Sequence, residues 1–303
     1  MLDIIVLGAA AGGGFPQWNS NAAACNRARA QDPKAPARTQ ASLAVSGDGV
    51  HWYILNASPD LRTQINQTPA LHPKTGLRST PISGVVLTSG EIDTITGLLT
   101  LREKQAFALY AAQPVLTQLD ANPIFEALDR SLVSRHSMAL GQPLALTPAG
   151  FSITPFAVPG KVPLYAEQGA NPAEIKMDGE FIGLDISDGQ RHALFIPGCA
   201  MMTDTLAQKI NGADLVFFDG TLWTDDEMVR AGLGAKTGKR MGHMSVADTP
   251  DGTLATFAPL HVGRKIFIHI NNSNPILISD SPERQAVEQA GWEVAFDGMR
   301  VTL

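Results

Sequence analysis

Apolar residues in this chain come in short runs, each closed by Gly, Pro, Asn or Asp, and that punctuation sets the predicted elements. Leu2–Leu7 predicts a buried strand followed by a tight Gly/Ala loop, and residues 20–38, rich in Asn, Ala, Arg and Pro, predict irregular chain. Ser42–Val45 and Trp52–Leu55 flank Gly47-Asp48-Gly49, the signature of a hairpin. Ile82–Leu87 reads as the next strand and Ile95–Glu103 as a short helix. Residues 105–148 alternate apolar runs with helices at Pro114–Leu119 and Pro123–Leu128. A second series opens with the strand Phe151–Val158 and a Gly/Pro-rich loop, Pro159–Pro172. Glu180–Ile186 and His192–Ile196 form a hairpin-like pair, followed by a helix near Thr205–Ile210, a strand Ala213–Phe218 and a polar loop over 224–241. Val246–Leu254 reads as helix, Arg264–His269 as strand and Ser281–Gln289 as helix, and the tail segments Trp292–Phe296 and Met299–Leu303 turn on Asp297-Gly298. Strands outnumber helices and no linker divides the chain. The expectation is one α/β domain spanning 1–303, with two packed sheets and helices on their outer faces.

Composition narrows the functional classes. Of the 303 residues 44% are hydrophobic and 17% charged, an ordinary globular balance. The net charge of −6, with no run of Lys or Arg, argues against nucleic acid as a partner. Cys25 and Cys199 lie too far apart in sequence to suggest a CxxC site or a disulfide framework. No apolar stretch approaches the ~20 residues of a membrane span. The first residues lack a basic n-region, so a cytoplasmic location without membrane insertion is expected.

Four segments place polar side chains just beyond a predicted strand: Asn56-Ala57-Ser58-Pro59-Asp60, Thr88–Asp93, Asp219-Gly220-Thr221-Leu222-Trp223, and His269–Pro275. A chain leaving Ile82–Leu87 for a helix would wrap Ser89, Glu91, Asp93 and Thr94 around one turn at the strand's mouth. Turn or helix capping is the competing reading of Asp93 or Asp219 taken alone, but four strand ends together favour a shared site. Gly12-Gly13-Gly14 lacks the GxGxxG spacing, and Phe15-Pro16 does not open a helix. A close-packed turn, with Trp18 and Asn19 facing the site mouth, fits better than a phosphate loop.

The dispersed motifs give a specific resemblance. Thr88–Gly97, Pro197-Gly198-Cys199, Gly242-His243 and His269 fall in the order of the metallo-β-lactamase superfamily motifs, particularly its RNA-processing and phosphodiesterase branch. Nearly the whole chain is similar to the family that serves synthesis of coenzyme PQQ, pyrroloquinoline quinone. That likeness runs through Gly12–Asn19, Asn56–Asp60, Ile92-Asp93 with Gly97-Leu98-Leu99, Asp219-Gly220-Thr221, Met241-Gly242-His243 and His269–Ile276. The resemblance implies an αββα sandwich of two mixed sheets, a role in making the quinone, and the quinone or its precursor as partner. Other proteins of that synthesis are further candidate partners, and oligomeric state, a dimer included, stays open.

The same overlay exposes losses. The three signature histidines fall on Ser89, Glu91 and Thr94, and the metal-bridging aspartate on Cys199, so a two-zinc hydrolase cannot be assembled. A Cys-x-Cys-x-x-Cys cluster of the resembling family reads here Ser20-Asn-Ala-Ala-Ala-Cys25, so no structural zinc is expected at the N-terminus. What survives as metal ligands is Glu91, Asp93, His269 and His243, the last either a ligand or an imidazole orienting one. Carboxylate plus imidazole on one face suits one divalent ion, iron(II) first, with zinc or magnesium as alternatives. Asp93, Asp219 and His243 are the candidate catalytic groups. Trp18, Asn19, Arg38, Ser58, Asp60, Asn271 and Asn272 are candidates for binding substrate, with Arg38, Arg62 and the Lys236–Arg240 loop able to meet carboxylates. Two functions follow: a non-haem iron(II) hydroxylase acting on the Tyr ring of a Glu–Tyr-derived precursor, or a carrier that binds the quinone or its precursor for transport to the periplasm.

Overall fold

The computed structural model describes residues 1–166 and 174–303, and in it the chain forms two seven-stranded sheets stacked face to face. The first six strands, β1 Asp3–Gly8, β2 Ser42–Ser46, β3 Trp52–Leu55, β4 Ile82–Val86, β5 Phe107–Ala111 and β6 Val133–Ser137, lie side by side in one sheet. The next seven, β7 Leu144–Leu146, β8 Phe151–Ala157, β9 Ile182–Ser187, β10 His192–Ile196, β11 Leu215–Asp219, β12 Arg264–Ile268 and β13 Trp292–Val294, build the other in reverse order. The last strand, β14 Arg300–Thr302, returns to the first sheet and pairs antiparallel with β1.

Side-chain alternation decides the layering. Along β11, Leu215 and Phe217 point between the sheets, where they join Leu43, Val45, Leu55 and Val86 of the first sheet with Leu184, Ile186, Ile266 and Ile268. Val216 and Phe218 point outward and are covered by Leu206, Ile210, Phe257 and Val287 from helices on that face. The first sheet's outer face, with Ile54, Val85 and Leu109, is covered by Leu61, Leu98, Val115 and Leu119. Both faces of the central strands are buried, which is why those strands read as continuous apolar runs.

The helices begin where chemistry lets them. Ser281 caps Pro282–Gln289 by accepting from the Arg284 N–H at 3.0 Å, with Pro282 in the first turn. The helix expected over Val246–Leu254 is confined to Thr253–Phe257, because Thr249-Pro250-Asp251-Gly252 is a turn and Gly252 is its N-cap. Ile95–Glu103 becomes one α-helical turn, Ile92–Ile95, running into a 3₁₀ stretch, Thr96–Leu101, and Pro123–Ala127 is likewise 3₁₀. Residues 20–38 are not wholly irregular, since Ala23–Arg29 is helical. The tail turns near Asp297-Gly298 as expected, but its two arms join opposite sheets, β13 beside β12 and β14 beside β1. Of the loop Pro159–Pro172, residues 167–172 lie outside the described residues. Among the described residues no helix is long and apolar enough to cross a membrane.

The fold matters to the site through one feature. β3 runs parallel to β4, and β11 parallel to both β10 and β12, so the C-terminal ends of these strands gather at one edge of the sandwich.

Candidate metal and substrate site

At that edge a cavity of about 380 Å³ is lined from both sheets. β3 delivers Asn56, held in the left-handed region at φ 64°, a conformation Asn tolerates better than most residues. Its side chain ties the two strand ends together: the Thr88 N–H donates to Asn56 Oδ1 at 2.9 Å, and Asn56 Nδ2 donates to Thr88 Oγ1 at 2.9 Å. β4 then opens into the Thr88–Thr94 turn. Ser89 and Thr94, at two of the signature-histidine positions, are buried with their hydroxyls 3.1 Å apart. Glu91, Ile92 and Asp93 face the cavity.

The second sheet contributes the denser cluster. Asp219, the last residue of β11, is fully buried, and its carboxylate accepts from the Cys199 N–H at 3.0 Å, the Thr221 N–H at 3.0 Å and the Thr221 hydroxyl at 2.6 Å. His243 Nδ1 lies 2.7 Å from its other face. His243 arrives by way of a short helix, Gly238–Met241, which Thr237 caps and Gly242 ends at φ 87°. His269 follows β12 directly, also in the left-handed region at φ 57°. Its ring stacks on His243 with centroids 5.1 Å apart, its Nδ1 is 2.8 Å from the Thr221 hydroxyl, and its Nε2 is 2.9 Å from Asp93 Oδ2.

Asp93 and His269, 176 positions apart in sequence, therefore meet in one cavity. Burial pushes the Asp93 carboxyl up, but the bond to His269 and the charge of both imidazoles outweigh it and hold the group below its usual range. Burial pulls the His243 imidazole down, yet Asp219, with Asp93 behind it, raises it overall against the opposing charge of Lys161. The Cys199 thiol, where a bridging carboxylate would stand, is driven well above the thiol range by burial and by Asp219, so it is neutral.

The donor chemistry fits one divalent ion. Ligands about 2.1 Å from a metal at right angles to each other sit about 3 Å apart, the separation of Asp93 Oδ2 and His269 Nε2. Asp219, His243 and His269 also offer donor atoms within 4.8 Å of one another. Asp219 is nevertheless fully buried and already engaged in four hydrogen-bonding contacts, an arrangement that suits a carboxylate orienting the imidazoles. Glu91, on the cavity wall two residues before Asp93, is the further carboxylate within the turn.

The substrate candidates divide. Asn271 lines the cavity, whereas Asn272 is turned toward Cys25 Sγ and Gln17 Oε1, to which its Nδ2 donates at 2.6 Å. Ser58 is buried and donates to Gln64 Oε1, and Asp60 accepts from the Gln40 backbone and side chain, so both brace the wall from outside. Arg38 binds the carbonyls of Pro36 and Ala37 and lies over Phe296, away from the cavity. Trp18 is 87% exposed and Asn19 accepts from Gln17 Nε2, so neither lines the cavity; Gln17 does. Thr221 and Gln40 were not singled out in the sequence, nor was the apolar wall of Phe181, Met228 and Met241. Thr221 sits in the recognised Asp219-Gly220-Thr221 turn. Met241 likewise sits in the recognised Met241-Gly242-His243 stretch, whereas Phe181 and Met228 carry no motif signal.

A family model described as a β-lactamase superfamily domain matches residues 51–270. The chain is 71% identical to the "Coenzyme PQQ synthesis protein B" of Gluconacetobacter diazotrophicus, covering all of both chains. It is 58% identical to the protein of the same description from Gluconobacter oxydans, covering all of this chain and 99% of that one. Among solved structures, the Zn²⁺-bound PqqB of Methylobacterium extorquens superposes with a TM-score of 0.95 at 45% identity, over 99% of this chain and 100% of that one.

Proposed function

The chain belongs to the coenzyme PQQ synthesis protein B family of the metallo-β-lactamase superfamily, and on that premise we propose that it acts in pyrroloquinoline quinone biosynthesis as a metal-dependent oxygenase of a phenolic, Glu–Tyr-derived precursor. The observation that carries this reading is the contact between Asp93 Oδ2 and His269 Nε2 inside the shared cavity, with Glu91 on the same wall. These residues would hold one ion, a relative at 45% identity being zinc-bound, and iron(II) in that place would supply the redox chemistry toward dioxygen. The two-zinc alternative lacks ligands, because the Ser89 and Thr94 hydroxyls bond to each other and Cys199 is a neutral thiol.

The remaining residues bind and orient. Phe181, Met228, Met241 and Ile92 form an apolar wall suited to an aromatic ring, while Gln17, Gln40 and Asn271 offer hydrogen bonds to peptide groups. His243, its Nδ1 held by Asp219, presents its other nitrogen to give or take the phenolic proton. The carrier reading is weaker on charge. A quinone with three carboxylates needs cationic partners, and among the described residues no Lys or Arg lines the cavity.

The test supplies metal-free protein with iron(II), ascorbate, ¹⁸O-labelled dioxygen and a Glu–Tyr dipeptide. The expected result is label in the tyrosine ring and a loss of more than about 100-fold in Asp93→Ala, beyond the about 10–100-fold typical of outer-shell changes. Stoichiometric quinone binding by metal-free protein, with no label in any product, would establish the carrier instead. Full turnover by Asp93→Ala would sink the ligand assignment.

A further inference from the structure

One hydroxyl stands between the buried carboxylate and both imidazoles. Thr221 Oγ1 is 2.6 Å from Asp219 Oδ1, 2.8 Å from His269 Nδ1, 3.1 Å from His243 Nδ1 and 3.0 Å from the His269 carbonyl. A hydroxyl has a single proton to donate and two lone pairs with which to accept. The shortest contact runs to a carboxylate that also takes the backbone N–H groups of Cys199 and Thr221, so the Thr221 proton belongs to Asp219. With its proton spent there, Thr221 can meet His269 Nδ1 only as an acceptor, which requires the proton to sit on Nδ1. His243 reaches the same state directly, since its Nδ1 faces Asp219 Oδ2 at 2.7 Å.

We propose that Thr221 is a positioning residue that locks His269 in the Nδ1–H form, so that Asp219 orients both imidazoles, one directly and one through a hydroxyl. The arrangement is the carboxylate–imidazole–metal support of many metal sites with an alcohol inserted in the relay. With Nδ1 protonated, Nε2 faces Asp93 Oδ2 at 2.9 Å, so in the metal-free protein it carries a second proton donated to that carboxylate, and an ion replacing that proton would be shared by the two groups. One buried carboxylate thereby sets the geometry of two rings stacked 5.1 Å apart. The consequence for metal affinity rests on the reading of Asp93 and His269 as ligands, whereas the position of the proton does not.

The experiment uses two variants and two readouts. Thr221→Val keeps the volume and deletes the hydroxyl, and Thr221→Ser keeps the hydroxyl and deletes the methyl. In ¹⁵N-histidine NMR, wild type and Thr221→Ser should show a proton bound to His269 Nδ1 in both the metal-free and the zinc-loaded protein, and Thr221→Val should lose that signal. Zinc titration by calorimetry should show affinity lowered by about 10–100-fold in Thr221→Val and within about threefold of wild type in Thr221→Ser. Wild-type protein with the His269 proton on Nε2 alone would overturn the proposal, whether or not either variant folds. So would Thr221→Val with unchanged zinc affinity and an unchanged Nδ1 signal. If wild type shows the Nδ1 proton but binds no zinc, the tautomer lock stands and the metal reading of the site falls.

Discussion

The two walls of the cavity come from the same kind of element, a loop following a parallel strand, yet they have been left in opposite chemical states. On the first sheet, the Ser89 and Thr94 hydroxyls line the cavity but bond to each other, and the carboxylates on that wall are Glu91 and Asp93. On the second, Asp219, Thr221, His243 and His269 form a continuous hydrogen-bonded network. A hydroxyl pair is a poor substitute for two imidazoles at a metal, because neutral alcohols are weak ligands and these two satisfy one another. On the reading proposed above, the difference teaches that losing three histidines need not abolish a metal site: the ion that depended on the first wall would go, and the place built by the second would stay, with Asp93 reaching across to complete it.

The most forceful way to break that contrast is to remove the anchor of the second wall. Asp219→Ala deprives the Cys199 and Thr221 N–H groups, the Thr221 hydroxyl and the His243 ring of their acceptor, all in a fully buried setting. Removing one member of such a buried charged network costs about 3–5 kcal/mol. Urea denaturation should register a loss of that size, together with a large fall in metal affinity. A loss below about 1 kcal/mol would mean that the network is not what holds the wall.

Much of this division was visible in the sequence and some of it could not have been. The four strand ends were legible because each couples an apolar run to a polar cluster, and the chain order of Asp93, Asp219, His243 and His269 matched a known pattern. The failures have physical causes. Arg38, Ser58 and Asn272 lie within two residues of Gln40, Asn56 and Asn271, which do line the cavity, and Asp60 lies four beyond Asn56, but the local turns aim them at carbonyls and neighbouring amides instead. Trp18 projects into solvent. Thr221 escaped notice because a threonine has no chemistry of its own until its partners are known. The tail deceived for a topological reason: Asp297-Gly298 turns the chain, but from one sheet to the other, which no local pattern records.

That crossing supplies a second, smaller test of what saturation means for a buried carboxylate. Asp297 accepts from the Thr39 N–H and hydroxyl, both at 2.7 Å on Oδ2, while its buried Oδ1 has no hydrogen bond. Burial raises its carboxyl to about 6, and the donors of Thr39 and the nearby Arg38 do not cancel the effect. The folded protein therefore holds this proton more tightly than the unfolded chain, whose carboxyl titrates near 3.8. Between those values the native state binds more protons, so the contribution of Asp297 to stability falls as pH rises from about 4 to about 6. The loss amounts to at most about 3 kcal/mol. Denaturation at pH 4.5 and pH 7 should show that Asp297→Asn is penalised less than wild type on going to the higher pH. Equal pH dependence would show that the orphaned oxygen is solvated.

The gentlest perturbation separates the two walls most cleanly. Ser89→Ala takes one hydroxyl from a buried pair, leaving Thr94 Oγ1 without that contact and the Glu91 N–H without its 3.3 Å acceptor. Breaking a neutral buried hydrogen bond costs about 1 kcal/mol, and the cavity left by a single oxygen is small. If the first wall has ceased to be a ligand wall at this position, metal affinity should change by less than about twofold, since no charge and no ligand lone pair is lost. Calorimetric titration beside a thermal melt reads both quantities on the same protein. A modest drop in stability with unchanged affinity fits a wall whose hydroxyls serve only each other. A tenfold loss of affinity would place Ser89 on the ion and erase the asymmetry between the walls.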